Sequence, residues 1–227
     1  MASNMVLYWG SGSVPCWRPM LVLEEKKLQG YGSKLISFSK KEHKTEEVLK
    51  LNPRGQVPTF KDGDVVVNES AAICDYLEYK FADQGTSLLP KDAAQRGMVL
   101  QRMHEAQNLN KGLIENVVHY IFRTKPEDVN QEHLNEKKKE AREELKRWEE
   151  YMQKQGSGTY VVGKEFSMAD VFVFPLLAFA VRGKLNLDPF PGLKEYYQRL
   201  EKRPSVKATW PPHWSEEPAG KDFFTGV

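Results

Sequence analysis

Cysteine is almost absent from this chain: Cys16 and Cys74 are the only two in 227 residues. A single disulfide could not staple a small secreted scaffold, so the fold must rest on its own core, and a reducing compartment is permitted. An excess of charge of one sign is also missing. Thirty-three basic against 31 acidic residues leave a net +2, which creates no global field to recruit nucleic acid or an anionic membrane. No segment approaches the roughly 18 uninterrupted apolar residues of a membrane-spanning helix. The N-terminus lacks a basic region followed by an apolar signal core. The ending Phe224-Thr225-Gly226-Val227 carries no prenylation or peroxisomal address. A cytoplasmic protein with no nucleic-acid or membrane partner is therefore expected. Walker, Rossmann and haem motifs are lacking too, as are clustered metal ligands, so no metal is expected.

What is present is enough for a substantial core: 40% of residues are hydrophobic and 11% aromatic, in a length that suits one large or two smaller domains. The periodicity changes along the chain. Met5 to Trp9 is a short apolar run ending at Gly10-Ser11-Gly12-Ser13, and Pro15 opens a helical stretch through Met20, Leu21, Leu23 and Leu28. Lys34 to Phe38 can form a second strand and His43 to Leu49 a short helix. Thr59-Phe60-Lys61 and Val65-Val66-Val67 flank the turn signal Asp62-Gly63-Asp64, which reads as a β-hairpin. An apolar helical run from Glu69 to Phe81 follows. The order βαβ then ββα makes residues 1–82 one α/β domain.

The polar stretch from Ala82 to Ser87 marks a linker over residues 83–91, and residues 92–227 read as an all-helical domain. Asp92 can cap a long helix carrying Leu100, Met103, Gln107, Lys111, Ile114 and Val118. A second helix spans about Gln131 to Lys154, with Leu134, Ala141, Leu145, Trp148 and Met152 on one face; its Lys137-Lys138-Lys139 reads as solvated surface. A third starts at Ser167-Met168-Ala169-Asp170, where serine and aspartate three residues apart form a capping box. It stays apolar to Val181, which places it at the domain's centre, with Pro175 expected to kink it. Leu193 to Lys202 supplies a last helix. The tail from Trp210 to Trp214, rich in proline and aromatics, is expected to fold back onto the protein.

Functional signals concentrate around the hairpin. Val57, held extended by Pro58, would present its N–H and C=O as an unpaired strand does to an added peptide. Glu69 and Ser70 stand in the first turn of the next helix, where free N–H groups and the dipole attract a carboxylate, and Glu69 could hold an ammonium group beside it. Each piece alone is an ordinary loop or helix start. Together, Asn52-Pro-Arg-Gly-Gln-Val-Pro58, a hairpin and Asn68-Glu69-Ser70 resemble the N-terminal domain of the glutathione transferase family, and the chain is identified as a member. That resemblance implies a thioredoxin-like N-terminal domain with a cis bond at Pro58, an all-α C-terminal domain, a homodimer, and glutathione as co-substrate for conjugation to hydrophobic electrophiles in detoxification. The run Leu7-Tyr-Trp-Gly-Ser-Gly-Ser-Val-Pro-Cys-Trp-Arg18 and the ending Trp210-Pro-Pro-His-Trp214 are most similar to the theta-like serine type, and within it to the rho class. A glutathione-dependent peroxidase or isomerase on the same site, or a non-catalytic glutathione-binding module, are the alternatives.

The chemistry such a site must perform is to ionise a thiol whose free pKa is about 8.5. A hydroxyl donor at a helix N-terminus can stabilise the thiolate. Gly-Ser-x-Pro-Cys resembles the start of serine-type members and implies Ser13 in that role; Ser11 is the second candidate, because Gly10 and Gly12 blur which hydroxyl faces the ligand. Tyr8, at the end of the first strand, is a third, by resemblance to other branches. Ser13-Val14-Pro15-Cys16 also has thioredoxin active-site spacing, but serine in the first position excludes dithiol chemistry. His43 and Lys44 are similar to the pair that binds the glycine carboxylate in plant-type relatives, with Gln56 close by. Val57 is implied as the backbone pairing edge, and Glu69 and Ser70 as the γ-glutamyl site. Arginine often follows this serine in the family; here Ala71 does, so one anion contact is missing or comes from elsewhere. Helical spacing and docking as in relatives would put Lys111, Ile114 and Val118 on the electrophile side.

Overall fold

A computed structural model describes residues 4–216 and 220–227. Contacts divide the chain into two units, one holding the chain through Ser87 together with Pro204–Glu216, the other Leu88–Arg203 and the C-terminal residues. Residues 204–216, expected in the helical domain, group by contacts with the first unit.

The first unit contains β1 (Met5–Trp9), α1 (Val14–Glu25), β2 (Gly32–Leu35), a 3-10 turn (Glu42–Lys44), α2 (Glu46–Leu51), β3 (Thr59–Asp62), β4 (Val65–Asn68) and α3 (Ser70–Lys80). The sheet order is β2-β1-β3-β4, with β1 and β2 parallel and the other pairs antiparallel. A parallel pair needs a crossover, which α1 supplies. α1 packs on α3, and Leu7, Leu21, Leu23, Phe60, Ile73 and Leu77 are fully buried. Nearly all of α1 is buried, because α9 (Pro204–Ala208) also packs against it. The turn Asp62-Gly63-Asp64 closes the expected hairpin, with Gly63 at φ 59°.

Three boundaries differ from expectation. β2 is Gly32–Leu35 and not Lys34–Phe38, because pairing with β1 ends where Ile36 N–H donates to Trp9 O. Phe38 leaves the sheet and its ring lies so close to Gly10 that an added Cβ would fall 2.2 Å from it, so a larger residue at position 10 would have to displace that ring. The single short helix expected over His43–Leu49 is a 3-10 turn and then α2, separated by extended Thr45. α3 begins at Ser70, since Glu69 has φ 70° and ψ 122°, outside any helix.

The second unit is helical: α4 (Ala93–Asn110), α5 (His119–Arg123), α6 (Gln131–Gln155), α7 (Met168–Arg182) and α8 (Pro191–Leu200). Asp92 caps α4 by accepting from Gln95 N–H. The expected inward face of α6 is buried at Leu134, Ala141, Leu145, Trp148 and Met152. α7 is buried almost throughout and remains helical across Pro175. Its capping box is present, with Asp170 fully buried. The regular helix expected through Val118 is replaced by a π-helical segment, Lys111–Val118. Here Gly112 approaches Ala141 of α6 closely, an added Cβ falling 3.5 Å from the Ala141 Cα. α10 (Pro212–Glu216) groups with the first unit. No described helix is long and apolar enough to cross a membrane.

Candidate functional site

Strand register gathers the sequence signals at one end of the sheet. Tyr8 lies opposite Thr59, Thr59 opposite Asn68, and Trp9 opposite Leu35. The C-terminal ends of β1, β2 and β4 therefore meet the N-terminal end of β3. From that edge project the loop Gly10–Ser13, the Val57-Pro58 peptide, and the junction Glu69–Ser70.

The loop carries both candidate hydroxyls. Ser13 is the N-cap residue of α1, with no side-chain cap bond. Its hydroxyl lies within hydrogen-bonding reach of the Cys16 sulfur, and Gly10 N–H donates to the same sulfur at 3.3 Å. Burial nonetheless pushes the Cys16 thiol up to about 11, so it stays protonated at neutral pH and is no nucleophile. Burial likewise raises Cys74. Ser11 Oγ lies 2.5 Å from His213 Nδ1. Tyr8 gives its proton to Glu47 Oε1 at 2.8 Å, while Lys34 sits over its ring and pairs with Glu47. Burial first, then the bond to Glu47, raises the Tyr8 pKa. A phenol has one proton to donate, so Tyr8 in this arrangement has none for a ligand sulfur.

The Val57-Pro58 bond is cis, and among the described residues Val57 makes no hydrogen bond through N–H or C=O. Its neighbours are fixed by buried Asn52, whose Nδ2 donates to Gln56 O at 2.9 Å and whose Oδ1 accepts from Arg54 N–H at 3.1 Å. Lys44 Nζ donates to Arg54 O at 2.8 Å, and Gly55, at φ 56°, leaves room for that side chain: an added Cβ would meet Lys44 Nζ at 2.9 Å. His43 packs its ring on Phe38. Its buried Nδ1 finds no hydrogen-bond partner among the described residues. The Gln56 side chain is exposed.

At the start of α3, Glu69 is exposed and its carboxylate takes no hydrogen bond among the described residues. A non-glycine residue at φ 70° costs of order 1–3 kcal/mol, a strain that concentrates at ligand sites. Ser70 is buried, and Arg18 of α1 donates to its Oγ at 3.1 Å. Arg18 is itself buried, which lowers its pKa to about 10, so it remains charged at neutral pH. A cation thus lies beneath the helix start where Ala71 offers none. Sequence reading missed it, although an arginine inside the apolar run of α1 was a visible signal.

Lys111, Ile114 and Val118 do not share a face. A π-helix turns fewer degrees per residue than an α-helix, which breaks the spacing that united them: Lys111 is exposed and Val118 buried. Lys111 lines a polar cleft of about 400 Å3 with Glu105, Glu140, Glu144 and Arg147, whereas Ile114 and Val118 do not line it.

Residues 12–80 match the family model described as glutathione S-transferase, N-terminal domain, and residues 111–209 the one described as glutathione S-transferase, C-terminal domain. Glutathione S-transferase A of Pleuronectes platessa is 48% identical over 227 residues, covering 100% of both chains. Among solved structures, a glutathione S-transferase from the Antarctic clam Laternula elliptica shares 50% identity at a TM-score of 0.87, covering 96% of each chain. A glutathione transferase homolog from Drosophila mojavensis, solved with bound glutathione, shares 27% identity at a TM-score of 0.76, covering 94% of each chain.

Proposed function

The chain belongs to the glutathione S-transferase family, and from that premise we propose that it conjugates the glutathione thiolate to hydrophobic organic electrophiles, with Ser13 as the hydroxyl that stabilises the sulfur. Its two domains carry the family's thioredoxin-like and all-α folds, and glutathione is the family's co-substrate. The observation that carries the residue assignment is the convergence at one sheet end of a serine at the N-cap position of α1 whose hydroxyl does not cap the helix, an unpaired backbone edge at Val57, and a helix start with a carboxylate and a buried cation.

In this reading the tripeptide pairs with Val57 N–H and C=O. Its γ-glutamyl carboxylate takes Ser70 and the α3 N-terminus, with Arg18 beneath supplying the charge that Ala71 lacks, while Glu69 holds the ammonium group. The glycine carboxylate reaches Lys44, His43 and Gln56. Lowering the thiol's pKa by about two units requires roughly 2.7 kcal/mol of preferential thiolate stabilisation, within reach of a charge-assisted hydrogen bond together with a helix N-terminus. Ser13 has one proton, so it must turn from the Cys16 sulfur to the ligand sulfur. Cys16 tolerates this because Gly10 N–H still donates to it. The thiolate then attacks the electrophilic carbon and the leaving group departs, or the sulfur adds across a polarised double bond. A theta-like, rho-class homodimer working in the cytoplasm is the setting we propose.

Turnover of 1-chloro-2,4-dinitrobenzene and of cumene hydroperoxide with glutathione tests the reading. Activity with the first is expected. Activity with the second alone replaces conjugation by a peroxidase, and binding to glutathione resin without either activity replaces it by a binding module.

A further inference from the structure

The loop that carries both serines is touched by a segment about 200 residues away. His213 Nδ1 lies 2.5 Å from Ser11 Oγ, and a Cβ added to Gly12, which has φ 75°, would fall 2.7 Å from His213 Cε1 and 3.0 Å from Trp214 Nε1. An aromatic clasp on α1 brings them there. Trp17, Trp210 and Trp214 meet pairwise edge to face, with centroids 5.4, 5.5 and 5.5 Å apart. Trp17 Nε1–H donates to Thr209 Oγ1 at 2.8 Å, and the Ser205 hydroxyl bonds Glu25. The helix that Ser13 caps is therefore the same helix that anchors the C-terminal segment.

Gly10 and Gly12 give the loop wide backbone freedom, yet a catalytic hydroxyl must be held to within about 0.5 Å of its working position. Among the described residues the loop is also held by Ser13 N–H to Gly10 O at 3.2 Å, Trp17 N–H to Ser13 O at 3.0 Å, the Ser13 hydroxyl and Gly10 N–H (3.3 Å) to the Cys16 sulfur, and the Phe38 ring against Gly10. None of these holds Ser11. We propose that His213 is a positioning residue for thiol activation: its bond to Ser11 fixes the Gly10–Ser13 loop and leaves Ser13 to meet the sulfur. This rests on the reading of Ser13 as the sulfur's donor. In this role Nδ1 accepts the Ser11 proton, which leaves Ser11 none to offer the ligand.

The test compares His213→Ala, His213→Asn, Ser11→Ala, the Ser11→Ala/His213→Ala double variant and Ser13→Ala. The readouts are kcat, glutathione Kd, and ultraviolet titration of bound thiolate. His213→Ala and Ser11→Ala should each lower kcat about two- to tenfold, the range of one neutral hydrogen bond, and leave Kd within about twofold. Bound thiol should titrate higher in both. The double variant should be no worse than either single, because both cut one bond, and His213→Asn, whose amide can reach the Nδ1 position, should recover most of the loss. If His213→Ala does not fold, Ser11→Ala cuts the same bond from the other end. Unchanged kcat and thiolate titration in Ser11→Ala and His213→Ala, with collapse only in Ser13→Ala, overturns the proposal while leaving Ser13 in place. Multiplying losses in the double variant overturn it as well. A Ser11→Ala defect as large as that of Ser13→Ala identifies Ser11 as the sulfur's donor and overturns the Ser13 reading itself.

Discussion

Asp170→Ala should unfold this protein more readily while leaving its chemistry intact, and the expected size follows from four hydrogen bonds. Asp170 Oδ1 accepts from Val161 N–H at 3.0 Å and Tyr196 O–H at 3.1 Å; Oδ2 accepts from Ser167 N–H at 2.8 Å and Ser167 O–H at 3.0 Å. A helix cap alone is worth about 0.5–2 kcal/mol. Truncation here also orphans buried donors, at about 1–3 kcal/mol each. The Ser167 and Tyr196 hydroxyls can rotate, leaving two fixed N–H groups as the core of the loss. Opposing it, burial raises the Asp170 pKa to about 6 against its hydrogen bonds, so the ionised carboxylate is held at a cost of about 3 kcal/mol at neutral pH. The net at pH 7 is roughly 0–5 kcal/mol. Because the folded pKa lies above the unfolded value of about 3.8, the native state binds the proton more tightly. The stabilisation this gives is fully present below about pH 4 and is lost as pH rises through 6. Asp170→Ala should therefore be more damaging at pH 5 than at pH 7.5, by about 1.4 kcal/mol, a difference that grows toward about 3 kcal/mol only below pH 4. Urea unfolding followed by tryptophan fluorescence at both pH values, with turnover measured per folded molecule, checks this. A loss that is the same at both pH values refutes the buried-carboxylate account, and collapsed turnover with unchanged stability refutes the division between site and scaffold.

Three further outcomes are expected at the proposed glutathione site. Ser13→Ala should cut kcat about ten- to hundredfold, the worth of a charge-assisted bond, with the bound thiol's pKa rising and glutathione Kd little changed in calorimetry; an unmoved thiolate titration refutes it. Glu69→Gly should raise the unfolding midpoint, because relief of about 1–3 kcal/mol of backbone strain exceeds glycine's entropic cost of about 0.5–1 kcal/mol, yet weaken glutathione binding. Retained affinity would remove Glu69 from the γ-glutamyl end. Arg18→Met should raise the glutathione Kd at least tenfold, the worth of a charge-assisted contact, with the folded fraction checked by its thermal midpoint. Equal affinity would show that the cation under Ser70 does not serve the ligand.

The sequence by itself determined whatever depends on neighbours along the chain. The Asp62-Gly63-Asp64 turn sets the hairpin, Asp92 begins α4, and Ser167 with Asp170 begins α7, because turn chemistry and caps act over three or four residues. The motif from Asn52 to Ser70 was legible for the same reason: hairpin register carries Val57 and Ser70 to the same end. Contacts between distant segments decided the rest. Arg18 reaches Ser70 only because α1 packs on α3, and His213 reaches Ser11 only because three tryptophans clasp the C-terminal segment to α1. Near Gly112, the three- and four-residue spacing of Lys111, Ile114 and Val118 implied a regular helix, but the segment is π-helical where it approaches Ala141. Periodicity records what one element prefers in isolation; burial against a partner far away in sequence adds free energy that no local window contains, and where it exceeds that preference the tertiary structure decides.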